Sequence, residues 1–105
     1  MVHNVFSEDQ FQETLKNYQT VVVDFYSTKS DKSKKVAAHF AHLYELDKFK
    51  DFRFVKVDID DLHDLAQELG VKEPATFHFY RNGEQTGSLN TEELEELVDW
   101  LEKGL

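Results

Sequence analysis

Between Val21 and Tyr26 the chain reads Val-Val-Val-Asp-Phe-Tyr, an apolar run without alternation, broken only by Asp24. Successive side chains of a strand point to opposite faces of its sheet. A run apolar on both parities therefore predicts a strand covered from both sides, and so a sheet sandwiched between helices.

The rest of the sequence supplies those helices. Ser7 opens the first as an N-cap, with Gln10 completing a capping box and Phe6 and Phe11 set to form a hydrophobic staple around it. Phe11 and Leu15 give its inward stripe, which ends near Asn17. A long helix is predicted from Ser30 or Asp31 to Leu46, with Val36, Phe40, Leu43 and Asp47 along one line and Ala37 and Tyr44 widening the face. Phe52 to Ile59 reads as the next strand. Asp61 begins a short helix with Leu62, Leu65, Ala66 and Leu69 at helical spacing, closed by Gly70. Thr76 to Tyr80 is a strand, Asn82-Gly83 a hairpin turn, and Gly87-Ser88-Leu89 a brief antiparallel return. Asn90 with Glu93 is placed to cap a last helix whose Leu94, Leu97, Val98 and Leu101 face inward. The predicted order is (β)αβαβαββα, an α/β fold with a mixed sheet, parallel where helices cross over and antiparallel at the hairpin. No linker, repeat or low-complexity segment interrupts residues 1–105, which reads as one domain.

Composition narrows the chemistry. Nine Phe, four Tyr and one Trp point to an aromatic core. The absence of cysteine excludes disulfides, thiolate catalysis and thiolate metal sites. A net charge of −9 argues against a nucleic-acid surface. No apolar stretch approaches membrane-spanning length and the first residues carry no signal-like run, so a cytoplasmic location is the default expectation. The charge is uneven. Lys29, Lys32, Lys34 and Lys35 cluster around the start of the long helix, and Glu92, Glu93, Glu95, Glu96, Asp99 and Glu102 crowd the C-terminal one.

The segment Val21 to Lys34, a buried strand, a short turn and an amphipathic helix, resembles the thioredoxin family, whose wording there is VVVDFxAxWCGPCK. The likeness extends through Val55-Lys56-Val57-Asp58-Ile59-Asp60, Leu69-Gly70-Val71 and Thr76-Phe77-His78-Phe79-Tyr80-Arg81-Asn82-Gly83. It covers nearly the whole chain and implies the thioredoxin fold. It also places Ser30 and Ser33 at the two redox cysteine positions and Lys29 at the tryptophan. A hydroxyl forms no disulfide and stays protonated near neutral pH, so the family's chemistry is absent from this sequence.

Other departures surround the serines. The position of the family's cis-proline is Ala75, with the proline one residue earlier at Pro74. Cis peptides are essentially a proline feature, so the alternatives are a remodelled trans loop or retained strain. The segment Gly83 to Glu92 is shorter than is usual in the family, and Ala38 stands where a helix-kinking proline is expected, which predicts a straighter helix. The three substrate-facing loops implied by the resemblance are all altered.

Ser30 has a plain reading as an N-cap. Catalysis by serine would need a base within hydrogen-bond reach, and the sequence suggests none. Serines replacing native cysteines, by mutation or engineering, and a scaffold without a selected partner both stay open. The lysines oppose the helix dipole. They would lower the pKa of a thiol at position 30, offer a surface to an anionic partner, or form a merely solvated face. The resemblance makes Asp24 a buried proton relay and Lys56 its neighbour; Asp24 is expected to have a raised pKa from desolvation. His39, His42, His63 and His78 read as surface histidines, not ligands. Asp58, Asp60, Asp61 and Asp64 fail the calcium-loop pattern at Leu62 and at the missing glycine, and read as an acidic first helical turn. Trp100 reads as packing. No cofactor and no metal are expected. The leading reading is a redox-silent protein that binds another protein through Lys29, Asp31, Lys32, Pro74 and Ala75. The alternative is a thiol–disulfide oxidoreductase seen as a double Cys-to-Ser variant.

Overall fold

The computed structural model describes residues 1–105 and contains five strands, four α-helices and one 3-10 turn. The strands are β1 (His3–Val5), β2 (Thr20–Tyr26), β3 (Arg53–Asp58), β4 (Thr76–Arg81) and β5 (Glu84–Asn90). The helices are α1 (Glu8–Asn17), α2 (Asp31–Tyr44), α3 (His63–Glu68) and α4 (Leu94–Glu102). They form one sheet in the order β1-β3-β2-β4-β5. The first three strands are mutually parallel, while β4 runs antiparallel to both β2 and β5. This is the thioredoxin fold.

The unalternating run sits at the centre of the sheet, and every residue from Thr20 to Phe25 is buried. Its two parities feed two cores. Val22 meets Val36, Phe40 and Leu43 of α2 and Leu97 and Leu101 of α4. Val21, Val23 and Phe25 meet Phe11 of α1 and Leu65 and Ala66 of α3. The α2–α4 side is aromatic: Phe40 packs at a tilt against Phe54 (4.9 Å between ring centres) and Phe77 (5.3 Å), and Trp100 meets Phe79 edge-on at 5.9 Å. Trp100 packs as expected, its indole also lying against Gly87.

Several boundaries differ from the sequence reading, each for a local reason. Phe6 is 71% exposed, so no staple forms; half of the capping box stands, with Ser7 Oγ accepting from Gln10 N–H, while Gln10 Oε1 accepts from the N–H of Phe6, one residue before the cap. Helix α2 stops at Tyr44, and Asp47 belongs to the following 3-10 turn (Asp47–Phe49) that buries Phe49. Ala37 is exposed and does not widen the apolar face, whereas Tyr44 packs on Phe54. Helix α2 is unbroken through Ala38. Helix α3 begins at His63, because the Asp58 carboxylate holds Asp60 and Asp61 in a turn by accepting from both backbone N–H groups. Only Asp64 lies in its acidic first turn.

After α3, Gly70 adopts φ +75°, with its N–H bonded to Gln67 O and that of Val71 to Ala66 O. This is a Schellman closure, which needs the left-handed conformation glycine supplies. Asn82 and Gly83 both have positive φ, the requirement of a type I′ hairpin. Strand β5 is longer than expected, Glu84–Asn90, because both arms of that hairpin stay paired to their ends. No helix is long and apolar enough to cross a membrane.

Candidate functional site

Strand β2 ends at Tyr26, and Ser27 to Ser30 turn the chain into α2. Ser30 is the N-cap: its backbone is extended (φ −106°) and its Oγ accepts from Ser33 N–H at 3.1 Å. Ser33, one turn in, is buried at 1% exposure, and its Oγ accepts from Ser27 N–H at 3.0 Å. Ser27 is buried too; its hydroxyl donates to Asp60 Oδ2 at 2.6 Å and accepts from Lys29 N–H. The three hydroxyls thus satisfy the backbone N–H groups of the turn and the free end of the helix, groups that would otherwise lack partners. No histidine or carboxylate is bonded to Ser30 or Ser33, so neither is set up as a nucleophile.

Asp24 lies on the same sheet face as Val22, toward α2, and is 1% exposed. Its Oδ1 has no hydrogen-bond partner. Burial raises its pKa to about 7, and the positive charge of Lys56 opposes that rise without cancelling it. Lys56 is Asp24's register neighbour on β3 but forms no ion pair with it. Its ammonium lies 5.4 Å over the Tyr26 ring.

The loop before β4 is trans throughout, since the chain has no cis peptide bond. Ala75 nonetheless adopts φ +62°, the left-handed region. There the Cβ of an L-residue crowds the carbonyl, at about 1–2 kcal/mol. The conformation is held from both sides: Ala75 N–H bonds to Phe25 O, and Ala75 O accepts from Thr91 N–H, each at 3.1 Å. The loop is therefore remodelled and strained at once.

Asn90, expected to cap α4, does not do so. Glu93 is itself the N-cap position of α4, without a side-chain cap bond, and Thr91 Oγ1 accepts its N–H. The Asn90 amide instead donates to Pro74 O and to Thr76 Oγ1, each at 3.0 Å, and its Oδ1 accepts from Lys32 Nζ. Lys32, Pro74 and Ala75 are thereby gathered beside the α2 N-terminus. Lys29 and Asp31 are exposed on the same turn. Lys35 points away to Glu92 and Glu93 of the α4 approach, at 3.3 and 3.4 Å.

His78 corrects the surface reading of the histidines. It is 3% exposed on β4, its ring 4.8 Å from Phe25, with Nδ1 3.0 Å from Tyr80 OH. Burial lowers its pKa to about 4 and raises that of Tyr80 to about 12. The sequence did contain the signal: His78 shares a parity with Tyr80 and pairs with Val23, whose face is core. Ser27 carries no local signal and Asn90 reads locally as a helix cap, because the bonds that matter for both are long-range. No group of three or more His, Asp or Glu side chains is arranged to hold a metal ion.

A family profile described as Thioredoxin matches residues 2–103. Thioredoxin of Oryctolagus cuniculus is 37% identical over 106 residues, covering 96% of this chain and 99% of that protein. Thioredoxin-2 of Pyricularia oryzae is 34% identical over 84 residues, 80% of this chain; the match spans about half of that protein, 48%. Among solved structures, the Malassezia sympodialis thioredoxin Mala s 13 superposes with a TM-score of 0.91 at 26% identity, covering 97% of this chain and 91% of that one. Plasmodium falciparum thioredoxin gives 0.92 at 24% identity, covering 97% and 98%.

Proposed function

This chain belongs to the thioredoxin family, and from that premise we propose that it works without redox chemistry, by binding another protein through the altered site face. The reading rests on the absence of any thiol and on the use made of the two serines. Ser30 Oγ and Ser33 Oγ are both committed to backbone N–H groups, one capping α2 and one buried under it. They are structural atoms of the turn. The contact face comprises Lys29, Asp31, Lys32 and Pro74; Ala75, expected there, is fully buried and shapes the loop from below, with Asp24 and Lys56 beneath it at the positions of the family's proton relay.

One observation favours the second reading, an oxidoreductase represented by a double Cys-to-Ser variant. Asp24 is buried, lacks a partner for Oδ1 and has a pKa near 7. A group with that pKa and no structural bond suits proton transfer more than stability. The Ser30→Cys/Ser33→Cys protein separates the two, assayed for reduction of a protein disulfide with dithiothreitol as electron donor. The binding reading expects a folded revertant at background rate, because the tryptophan position holds Lys29 and the Pro74–Ala75 loop is rebuilt. Strong turnover would establish the replaced redox pair instead.

A further inference from the structure

The segment Pro74–Thr76 borders the site, yet its main chain is already committed. Proline has no N–H to give. Pro74 O accepts from Asn90 Nδ2, Ala75 N–H goes to Phe25 O, and Ala75 O accepts from Thr91 N–H. Thr76 Oγ1 donates to Glu73 O while accepting from Asn90. An extended peptide finds no free main-chain donor at Pro74 or Ala75, so recognition on this face falls to side chains. The charged side chains that remain there are mostly cationic, with Asp31 the exception. The ion pairs of the molecule employ Lys35, Lys48 and His63, and leave Lys29, Lys32 and Lys34 without a carboxylate. Lys32 has only a neutral partner, the Asn90 amide oxygen.

Asn90 therefore joins three segments: the first turn of α2 through Lys32, the Pro74–Thr76 loop, and the junction of β5 with α4. Its place opposite Thr76 in the β4–β5 ladder fixes its reach. We propose that Asn90 is a clasp closed over the Pro74 carbonyl by its bond to Lys32, and that an acidic peptide opens it by taking Lys32 for its own carboxylates. The chemistry favours the exchange. A carboxylate forms a charge-assisted bond with an ammonium, about twice as strong as one between neutral groups. Once Lys32 leaves, Asn90 keeps its two donor bonds, to Pro74 O and Thr76 Oγ1, and its Oδ1 becomes free to accept from the ligand's own N–H groups. Lys29 and Lys34 supply the added attraction, opposed by Asp31 on the same turn. The inference rests on the binding reading above.

The test is a titration of the full-length 15N-labelled protein with hexaglutamate at low salt, followed by NMR. The expected result is a shift of the Asn90 side-chain amide and of the Ala75 and Thr91 backbone amides, with a dissociation constant weakened at least fivefold in Lys32→Gln. Asn90→Ala, with no clasp to displace, should bind several-fold more tightly. Asn90→Asp keeps the size, gives Lys32 a charged partner and removes both amide donors. It should bind at least fivefold more weakly, which separates the clasp from a general loosening of the loop. Binding that leaves the Asn90 amide unmoved, or equal affinity in the three Asn90 proteins, overturns the clasp. No shift at all from hexaglutamate overturns the acidic partner as well. Neither result touches the redox-silent reading, which stands or falls with the activity of the cysteine revertant.

Discussion

Asp24 and His78 are buried ionisable residues on neighbouring central strands, facing opposite cores, and they pull stability in opposite directions with pH. Asp24 titrates near 7 when folded and near 4 when unfolded. The folded state holds its proton more tightly, so its contribution is fully present below about pH 4 and is lost as pH rises toward 7. A shift of about three units corresponds to roughly 4 kcal/mol at one unit per 1.36 kcal/mol. His78 titrates near 4 when folded against 6.5 when unfolded. Its contribution is present above 6.5 and is lost as pH falls toward 4, by about 2–3 kcal/mol. Between pH 4 and 6.5 the two slopes nearly cancel. The wild-type protein should therefore show a nearly flat stability profile there in urea unfolding. Asp24→Asn should become more stable as pH rises through that window and exceed wild type at pH 8. His78→Gln should become less stable over the same range. An NMR titration placing Asp24 near an ordinary carboxylate value would remove its slope and leave a wild-type protein that gains stability with pH through that window.

At the scale of elements, the departures from family wording have become structure. Helix α2 is continuous through Ala38, whose N–H lies in the helix interior. Ala38→Pro, although it restores the family's residue, should cost about 3 kcal/mol or more by removing a helical hydrogen bond and crowding the preceding turn. Chemical denaturation measures this directly, and an unchanged midpoint would mean that the helix already accommodates a kink. The Pro74–Ala75 loop makes a parallel case. Ala75 sits at φ +62° with its N–H bonded to Phe25 O, and proline offers neither that φ nor that donor. Ala75→Pro should lower the melting temperature by several degrees, whereas restoration of a better loop would raise it.

Across the whole molecule, the elements and their order were legible because periodicity encodes burial. The unalternating β2 run, the Leu97/Leu101 stripe of α4 and the Asn82-Gly83 turn each carry their structure in residues close in sequence. What escaped was set at a distance. Phe6 lacks a staple because nothing folds over it, and the α3 start is moved by an Asp58 turn. Asn90 abandons a helix cap for bonds to Pro74, 16 residues away, and Lys32, 58 away. The site was legible as a set of positions, since the resemblance placed Ser30, Ser33 and Asp24. Its present use was not, because the partners of those hydroxyls appear only once Ser27 and α2 are packed together.

The two serines are structural parts of the α2 turn and not idle replacements. Equilibrium urea unfolding of Ser30→Ala, Ser33→Ala and the double variant tests this most directly. Ser30→Ala should cost about 1 kcal/mol as a lost N-cap. Ser33→Ala should cost about 1–3 kcal/mol, because it leaves the Ser27 N–H without a partner in a buried turn. The double variant should lose more than either alone, with an unchanged m-value. Variants as stable as wild type would leave the serines as relics of a thiol pair with no part in the turn.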